Sequence, residues 1–198
     1  MQRAEPFLSE QRKERLRQVK SESDKINCCA SFLLLRAALV REYGVLELPV
    51  FGFGEKDKPF LKNIPKVYFN FSHGKNGAAC MVSDRNTAVD MMDIRKTHSA
   101  VYRRCCSEEE CLALEQSADL ARDFIRLWTR KECYAKLTGQ GLSLDFRTIT
   151  QSLPEMVHIH TLEQTDWILS YYSVIEQESV QFFDGESLLG FAEENGFL

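Results

Sequence analysis

The sequence has no lysine or arginine from residue 148 to residue 198, although that segment holds nine acidic residues. All 25 Lys and Arg residues therefore lie in residues 1–147, together with the other 20 of the 29 acidic residues. We expect a polyanionic ligand to bind this larger segment. The basic surplus is small and scattered along the chain, which argues against nucleic acid as the main partner.

Long apolar runs and paired-cysteine motifs are also missing. The most apolar stretch, residues 28–40, is interrupted by Arg36 and is shorter than the roughly 20 residues that a membrane-spanning helix needs. The seven cysteines include no Cys-x-x-Cys spacing, and no secretory signal follows the charged start of the sequence. We therefore expect a cytoplasmic protein with reduced thiols and no membrane association.

Hydrophobic periodicity predicts two long helices. Apolar residues recur at helical spacing across residues 23–43 and again across 120–137, and each run ends at a glycine. Residues 9–20 are strongly basic and predict a solvated, partly helical segment. Ser107 followed by Glu110 is typical of a capping box, and it predicts a shorter helix.

Alternating or β-branched runs between these helices predict strands. They cover residues 67–71, 78–82, 87–94, 157–162 and 167–175. Helix followed by sheet thus occurs twice, which indicates a mixed α+β fold. We expect two similar halves, residues 1–97 and 98–198, although direct identity between them is too weak to prove a repeat.

An aspartate interrupts the apolar strand predicted over residues 87–94. Strand alternation places Asp90 and Met92 on one face and Asp93 on the other. Burial of an unpaired charge is unfavourable, so Asp90 should contact a cation, either a metal ion or a lysine or arginine. The other interpretation is an edge strand on which both aspartates are solvated.

A second motif, residues 128–136, reads Trp-Thr-Arg-Lys-Glu-Cys-Tyr-Ala-Lys. On a helix, Trp128, Glu132 and Lys136 share one face because they are spaced four residues apart. Taken alone, this spacing is also typical of a surface ion pair beside an aromatic ring.

A third motif, Asn-Phe-Ser-His at residues 70–73, ends a predicted strand. No Gly-x-Ser-x-Gly sequence supports a hydrolase in which Ser72 is the nucleophile. The Ser72 hydroxyl and the His73 imidazole could instead donate hydrogen bonds to a phosphate.

His158 and His160 lie on one face of a predicted strand. A zinc site needs further ligands, and the sequence offers no third residue at suitable spacing. We therefore interpret the two histidines as surface residues.

The three motifs together resemble the Sfp-type 4′-phosphopantetheinyl transferases. Their order is residues 70–73, then 88–92, then 128–136 followed by Gly-Gln-Gly-Leu at 139–142, and the resemblance extends over nearly the whole chain. It implies two α+β halves with the active site between them. It also implies Mg²⁺ as cofactor and transfer of the phosphopantetheine arm of coenzyme A to a serine of an apo carrier protein, with release of 3′,5′-ADP. The carrier could be an acyl, peptidyl or aryl carrier protein, and we expect the enzyme to be a monomer.

The resemblance also assigns roles by position. Asp90 and Glu132 would bind the metal ion, and Glu132 would help to remove the proton of the attacking serine. Lys136 would bind and neutralise the leaving phosphate. The phosphates of coenzyme A are expected to contact Lys20, Arg36, Lys58, Ser72 and His73.

Three positions depart from the family pattern, the least of them Ala88, which stands where many members have glycine. Met92 stands where bacterial members often have a third acid, and a thioether cannot bind Mg²⁺. We expect water to fill that ligand position, because Asp93 lies on the other strand face. Asp57 replaces the glycine that usually precedes Lys58, and it adds a negative charge near the expected phosphates.

An alternative function is a catalytically silent member that binds a carrier protein or coenzyme A. Retention of Asp90, Glu132 and Lys136 argues against it, because a binding module has no need for two converging carboxylates. For carrier docking, the charge distribution favours basic residues in the first 147, and Arg103, Arg104 and Arg126 are candidates.

Overall fold

The computed structural model describes residues 3–54, 58–75, 77–149, 158–174 and 180–197. Within these ranges, six helices and seven strands form an α+β fold, as the sequence predicts. The helices are α1 (Glu10–Gln18), α2 (Glu22–Tyr43), α3 (Ser99–Tyr102), α4 (Glu108–Glu115), α5 (Leu120–Thr138) and α6 (Gly185–Glu194). The strands are β1 (Phe51–Phe53), β2 (Pro59–Leu61), β3 (Tyr68–His73), β4 (Ala78–Ser83), β5 (Val89–Asp93), β6 (Ile159–Glu163) and β7 (Trp167–Tyr172).

Local sequence explains where the two long helices begin and end. The side chains of Ser21 and Asp119 each accept a hydrogen bond from a backbone N–H in the first turn, of α2 and α5 respectively. Gly44 and Gly139 follow the last turns with φ angles of 65° and 70°. Glycine adopts this left-handed conformation without steric strain, so both predicted helix ends are confirmed.

The first compact unit comprises residues 1–87 and 177–198. Helix α2 packs against the antiparallel hairpin of β3 and β4, and α6 packs on α2. The side chains of Phe32, Leu35 and Leu39 on α2 have no exposed surface and form the centre of the core of this unit.

The second compact unit comprises residues 88–176. Its antiparallel sheet has the strand order β5-β7-β6, and α5 packs against all three strands. In this sheet Asp90 lies opposite Ser170, and Met92 lies opposite the fully buried Ile168. Each unit therefore packs one long helix against a small antiparallel sheet.

These units do not coincide with the predicted halves, residues 1–97 and 98–198. Strand β5 belongs to the second unit because it pairs with β7. Helix α6 belongs to the first unit because it packs on α2. A pseudo-twofold relation between two halves stays a prediction.

The described residues also bear on the predictions that the chain has no membrane-spanning helix and that its cysteines are reduced. In that part of the chain, no helix is long and apolar enough to cross a bilayer. It includes all seven cysteines, and each is a free thiol.

Candidate active site

Asp90 is buried on the face of β5 that contacts α5, and its side chain is 9% exposed. The Lys136 ammonium group on α5 donates a hydrogen bond to Asp90 Oδ1 at 2.7 Å and another to the Val89 carbonyl at 3.0 Å. The expected cationic partner of Asp90 is thus a lysine. The alternative interpretation is right that β5 is an edge strand of its sheet, but it is wrong that Asp90 is solvated. Met92, on the same face, packs against the apolar core.

Glu132 lies one helical turn before Lys136 and is half-buried. Burial raises the pKa of its carboxyl group, and the negative charge of Asp90 raises it further, whereas the Lys136 ammonium lowers it. The Asp90 and Glu132 carboxylates are therefore close enough to repel each other, and the Lys136 ammonium group acts on Glu132 as well. The structure therefore brings together Asp90, Glu132 and Lys136, the three predicted catalytic residues.

A row of hydroxyl groups lies beside Asp90, and the sequence did not reveal it. Ser170, which faces Asp90 across the sheet, shares hydrogen bonds with Thr129 on α5 at 2.9 Å and with Thr161 on β6 at 3.1 Å. Ser170 and Thr129 have no exposed surface. Because Thr129 is one turn before Glu132–Cys133 on the helix, these bonds hold the catalytic part of α5 on the sheet.

Lys131 lies inside the predicted motif but has a structural position. It is 1% exposed, and its ammonium group contacts Glu110 Oε2 at 2.5 Å and the carbonyls of Cys105 and Phe146 at 3.0 and 2.7 Å. The Glu110 carboxylate also accepts the backbone N–H of Ser107, which confirms the predicted capping box of α4. The buried cation thus holds α4 and two loops against α5.

Trp128, the first residue of the motif, is half-buried and packs on Phe146. The two rings are stacked, with centroids 5.1 Å apart and planes 17° from parallel. They border a cavity of about 400 Å³. The complete lining consists of Val101, Arg104, Cys105, Trp128, Leu144, Asp145 and Phe146.

Ser72 and His73 end strand β3 in the first unit. Ser72 pairs with Ala79 and is buried, whereas His73 pairs with Ala78 and is exposed. After His73, the chain turns at Gly74, whose carbonyl accepts a hydrogen bond from the Asn27 amide of α2 at 2.8 Å. Phosphate binding by Ser72 and His73 stays a prediction.

Lys58 immediately precedes β2 and is half-buried. Its ammonium group donates to Asn86 Oδ1 at 3.0 Å, and burial lowers its pKa. Lys20 is exposed between α1 and α2. Asp57, which was expected to weaken phosphate binding by Lys58, lies outside the described residues.

Arg36 requires a correction, because it was predicted to bind a phosphate of coenzyme A. The structure places it in the core of the first unit, 3% exposed. Its guanidinium group donates to the carbonyls of Phe7, Phe197 and Leu46, and it lies over the Phe197 ring at 4.1 Å. A guanidinium group committed to three carbonyls inside the core holds the fold together and does not suit a phosphate site.

We expect Arg36→Met to lower the free energy of unfolding by about 2–4 kcal/mol, because buried carbonyl groups would lose their donor. Urea unfolding of the purified protein measures this change. Arg41→Met is the matched control on the same helix, since Arg41 is exposed, and its effect should stay within about 0.5 kcal/mol. Equal, small effects of both substitutions would contradict the structural role of Arg36.

The chemistry of Asp90 and Glu132 fits Mg²⁺. This ion prefers oxygen ligands and usually binds one or two carboxylates together with water and substrate phosphates. The raised pKa of Glu132 reflects burial and repulsion by Asp90, and a bound cation would relieve that repulsion. In the described part of the chain, no group of three or more His, Cys, Asp or Glu side chains could hold a metal ion.

Known proteins match the part of the chain that contains the candidate active site. Residues 87–182 match the family model described as the 4′-phosphopantetheinyl transferase superfamily, a segment that includes all three catalytic candidates. A 4′-phosphopantetheinyl transferase of Bacillus subtilis is 26% identical over 155 residues, covering 77% of this chain and 69% of the relative. The enzyme psf-1 of Bacillus pumilus is 27% identical over 158 residues, covering 78% and 68%.

A eukaryotic relative matches as well. The L-aminoadipate-semialdehyde dehydrogenase-phosphopantetheinyl transferase of Candida glabrata is 27% identical over 149 residues, or 70% of this chain and 57% of the relative. The matched family and relatives make this chain a phosphopantetheinyl-transferring enzyme. Within that class, the chain is similar to the Sfp-type 4′-phosphopantetheinyl transferases, the family that the sequence motifs resemble.

Proposed function

We propose that this enzyme transfers the 4′-phosphopantetheine arm of coenzyme A to a serine of an apo acyl, peptidyl or aryl carrier protein, with Mg²⁺ as cofactor and 3′,5′-ADP as the second product. The observation that carries the proposal is the convergence of Asp90, Glu132 and Lys136 on one side of a sheet, inside the segment that matches the family. A protein that only bound carrier or coenzyme A would not need two carboxylates to share this environment.

Glu132 is the proton acceptor in this mechanism. The attacking serine must lose its hydroxyl proton as its oxygen bonds to phosphorus, and a carboxylate with a raised pKa is a better base than an exposed one. Half-burial also limits access of water to this group. Mg²⁺ held by Asp90 and Glu132 would neutralise negative charge on the pyrophosphate, which is the principal requirement of phosphoryl transfer.

Lys136 is the protein's own cation at the proposed active site. Its hydrogen bonds to Asp90 and to the Val89 carbonyl fix the ammonium group at the edge of the sheet, where 26% of the side chain is exposed. The remaining exposed surface allows contact with the leaving phosphate of coenzyme A. Asp90 thus orients Lys136 in addition to serving as a metal ligand.

The other phosphates of coenzyme A are assigned to Lys20, Lys58, Ser72 and His73. Lys58 supports this assignment because it is half-buried and burial lowers the pKa of its ammonium group, a cost that a bound phosphate would offset. His73 and Lys20 are exposed and therefore accessible to a ligand.

A panel of apo acyl, peptidyl and aryl carrier proteins tests the proposal. Each carrier is incubated with this enzyme, coenzyme A and Mg²⁺, and its intact mass is measured. We expect at least one carrier to gain one phosphopantetheine group, and the same carrier with its acceptor serine changed to alanine to gain none. Gain by the alanine carrier, or by no carrier in the panel when another 4′-phosphopantetheinyl transferase modifies them all, would contradict it.

We favour Arg104 among the three candidate docking residues. Arg103 forms an ion pair with Glu115, and Arg126 forms ion pairs with Asp123 and Glu163, so their charges are already compensated. Arg104 is exposed at the rim of the cavity beside Trp128.

We therefore expect Arg104→Glu to raise the KM for an acidic carrier protein at least about fivefold, because charge reversal opposes encounter with the carrier. Affinity for coenzyme A, measured by calorimetry, should not change. Arg103→Glu is the matched control and should raise the KM less. Equal effects of the two substitutions, or an unchanged KM, would place the docking surface elsewhere.

A further inference from the structure

Successive turns of α5 form polar contacts with the sheet of the second unit. The Thr129 hydroxyl bonds with Ser170 on β7 at 2.9 Å, and the Cys133 thiol donates to the Ala88 carbonyl at 3.5 Å. Lys136 continues the series one turn later through its bonds to β5. Residues spaced three or four apart follow one side of a helix, so these contacts lie along the side of α5 that faces the sheet.

The hydroxyl groups around Ser170 form a chain of hydrogen bonds with one direction. Thr129 donates its only proton to the Arg126 carbonyl at 3.2 Å, so Ser170 must donate to Thr129. Thr161 must then donate to Ser170 at 3.1 Å, and its oxygen accepts from the Arg130 guanidinium at 3.4 Å. Each hydroxyl donates one bond and accepts one, so the loss of any hydroxyl would leave a neighbour without its partner.

The Ala88 carbonyl accepts hydrogen bonds from two elements. One comes from the Tyr172 N–H at 2.9 Å and continues the pairing of β5 with β7, and the other comes from the Cys133 thiol. A carbonyl oxygen has two lone pairs, so it can accept both bonds at once. Cys133 has no exposed surface, and its contact joins α5 to a residue two positions before Asp90.

These contacts lie on both sides of the proposed metal ligands. Glu132 lies between Thr129 and Lys136 on α5, and Asp90 lies opposite Ser170 in the sheet. Because the two carboxylates come from different elements, their separation depends on how closely α5 is held to the sheet. Mg²⁺ needs nearly ideal octahedral geometry with ligands at about 2.0–2.1 Å, so a small shift of α5 would weaken its binding.

We propose that the buried residues that form these contacts, Thr129, Ser170 and Cys133, are positioning residues for the metal site. They hold Glu132 at the distance from Asp90 that Mg²⁺ binding requires. This inference rests on the proposed function, in which those two carboxylates bind the metal ion. All three positioning residues have no exposed surface, so they act through the placement of α5 and not as ligands. Residues that orient metal ligands affect metal affinity although they do not contact the ion.

Mn²⁺ is the probe for this role, because it suits the same carboxylate and water ligands as Mg²⁺ and electron paramagnetic resonance measures its free concentration. The protein is titrated in the presence of coenzyme A. Thr129→Val removes the hydroxyl but keeps the shape, and we expect it to weaken Mn²⁺ binding about three- to tenfold, less than the loss typical for a group bonded directly to a metal ligand. Thr129→Ser keeps the hydroxyl and should bind Mn²⁺ as the wild type does.

Ile125→Val is the matched control on α5. Ile125 is buried on the same side of the helix, one turn before Thr129, and the substitution removes one core methylene group but breaks no hydrogen bond. It should lower the stability measured by urea unfolding and leave Mn²⁺ affinity unchanged. Unchanged affinity in Thr129→Val, or an equal loss in Ile125→Val, would overturn the positioning role.

Paired variants test the individual contacts. Thr129→Val and Ser170→Ala break the same hydrogen bond, so the double variant should bind Mn²⁺ nearly as well as the weaker single variant, whereas additive losses would show two independent packing defects and overturn the proposed pair. Cys133→Ala and Cys133→Ser both remove the sulfur, but only serine keeps a donor for the Ala88 carbonyl. The alanine variant should therefore bind Mn²⁺ more weakly, and equal losses would overturn the role of Cys133.

Two further measurements separate this inference from the proposed function. Asp90→Asn removes a ligand and should weaken Mn²⁺ binding more than any of these variants. Wild-type binding no tighter than that of Asp90→Asn would overturn the metal site and this inference together. In the transfer assay, Thr129→Val should raise the Mg²⁺ concentration that gives half the maximal rate and leave the KM for the carrier protein unchanged. An unchanged Mg²⁺ requirement in this variant, with an active wild type, would overturn the inference alone.

Discussion

Glu132→Gln should reduce the rate of phosphopantetheine transfer at least about a hundredfold, the size of loss typical for an essential electrostatic group in an active site. Glutamine has nearly the same shape as glutamate, but it cannot accept the serine proton or bind Mg²⁺ as an anion. The measurement is kcat for carrier modification at saturating coenzyme A. Glu42→Gln makes the same chemical change at an exposed position of α2 and should leave kcat unchanged.

The same substitution should leave the fold at least as stable as the wild type at neutral pH. Because the pKa of Glu132 is raised in the folded state, the folded protein holds this proton more tightly than the unfolded chain does. Stability therefore falls as the pH rises above the ordinary glutamate value, and it stays reduced above the raised pKa. Glutamine removes this dependence.

Urea unfolding of the wild type and Glu132→Gln across a pH series measures this contribution. The difference in unfolding free energy should be smallest below about pH 4, where glutamate is protonated in both states, and should grow in favour of the variant at higher pH. Retention of more than a tenth of the wild-type kcat, or a variant that is less stable at neutral pH, would contradict the assigned environment of Glu132.

Lys131→Met should have the largest effect on stability, lowering the free energy of unfolding by about 3–5 kcal/mol. The substitution would leave the Glu110 carboxylate, 15% exposed, without its cation. It would also leave the carbonyls of Cys105 and Phe146 without their donor. Urea unfolding and thermal unfolding both measure the loss.

Two comparisons separate this role from catalysis. Lys131→Met combined with Glu110→Gln should recover part of the lost stability, because no uncompensated charge remains. Lys136→Met, on the same helix, should reduce kcat strongly but stability less, since its side chain is partly exposed. A larger stability loss for Lys136→Met than for Lys131→Met would reverse the roles given to these two lysines.

Short-range patterns predicted most of the individual elements. The long helices α2 and α5 and the strands β3, β4 and β5 follow from periodicity and from residues at their ends, because those signals lie within a few neighbouring positions. Strands β1 and β2 have three residues each, too few for a period to be recognised. Their close approach depends on Gly52, where a Cβ atom would collide with the Phe60 ring.

The division into units could not be predicted in the same way. It depends on the pairing of β5 with β7 and on the packing of α6 against α2, which join residues far apart in sequence. Amphipathic periodicity shows that a strand or helix has a buried face, but it does not show which element covers that face.

The candidate site shows the same limit. Helical spacing correctly placed Glu132 and Lys136 on one face of α5. The unfavourable burial of an unpaired charge predicted a cation beside Asp90, but it did not decide between a metal ion and a lysine. Arg36 was assigned by position in a family resemblance, which contains no information on burial. Lys131 was missed because its partner Glu110 lies on another helix, outside the reach of any local pattern.

The release of 3′,5′-ADP, measured together with carrier mass in one reaction, tests the central claim most directly. Wild-type enzyme, coenzyme A and Mg²⁺ are mixed with an apo carrier protein of the panel, and a parallel sample omits the carrier. The account predicts one molecule of 3′,5′-ADP for each carrier that gains a phosphopantetheine group, and none without carrier. Bound coenzyme A with no 3′,5′-ADP released from any carrier mixture, or release that does not need a carrier, would contradict it.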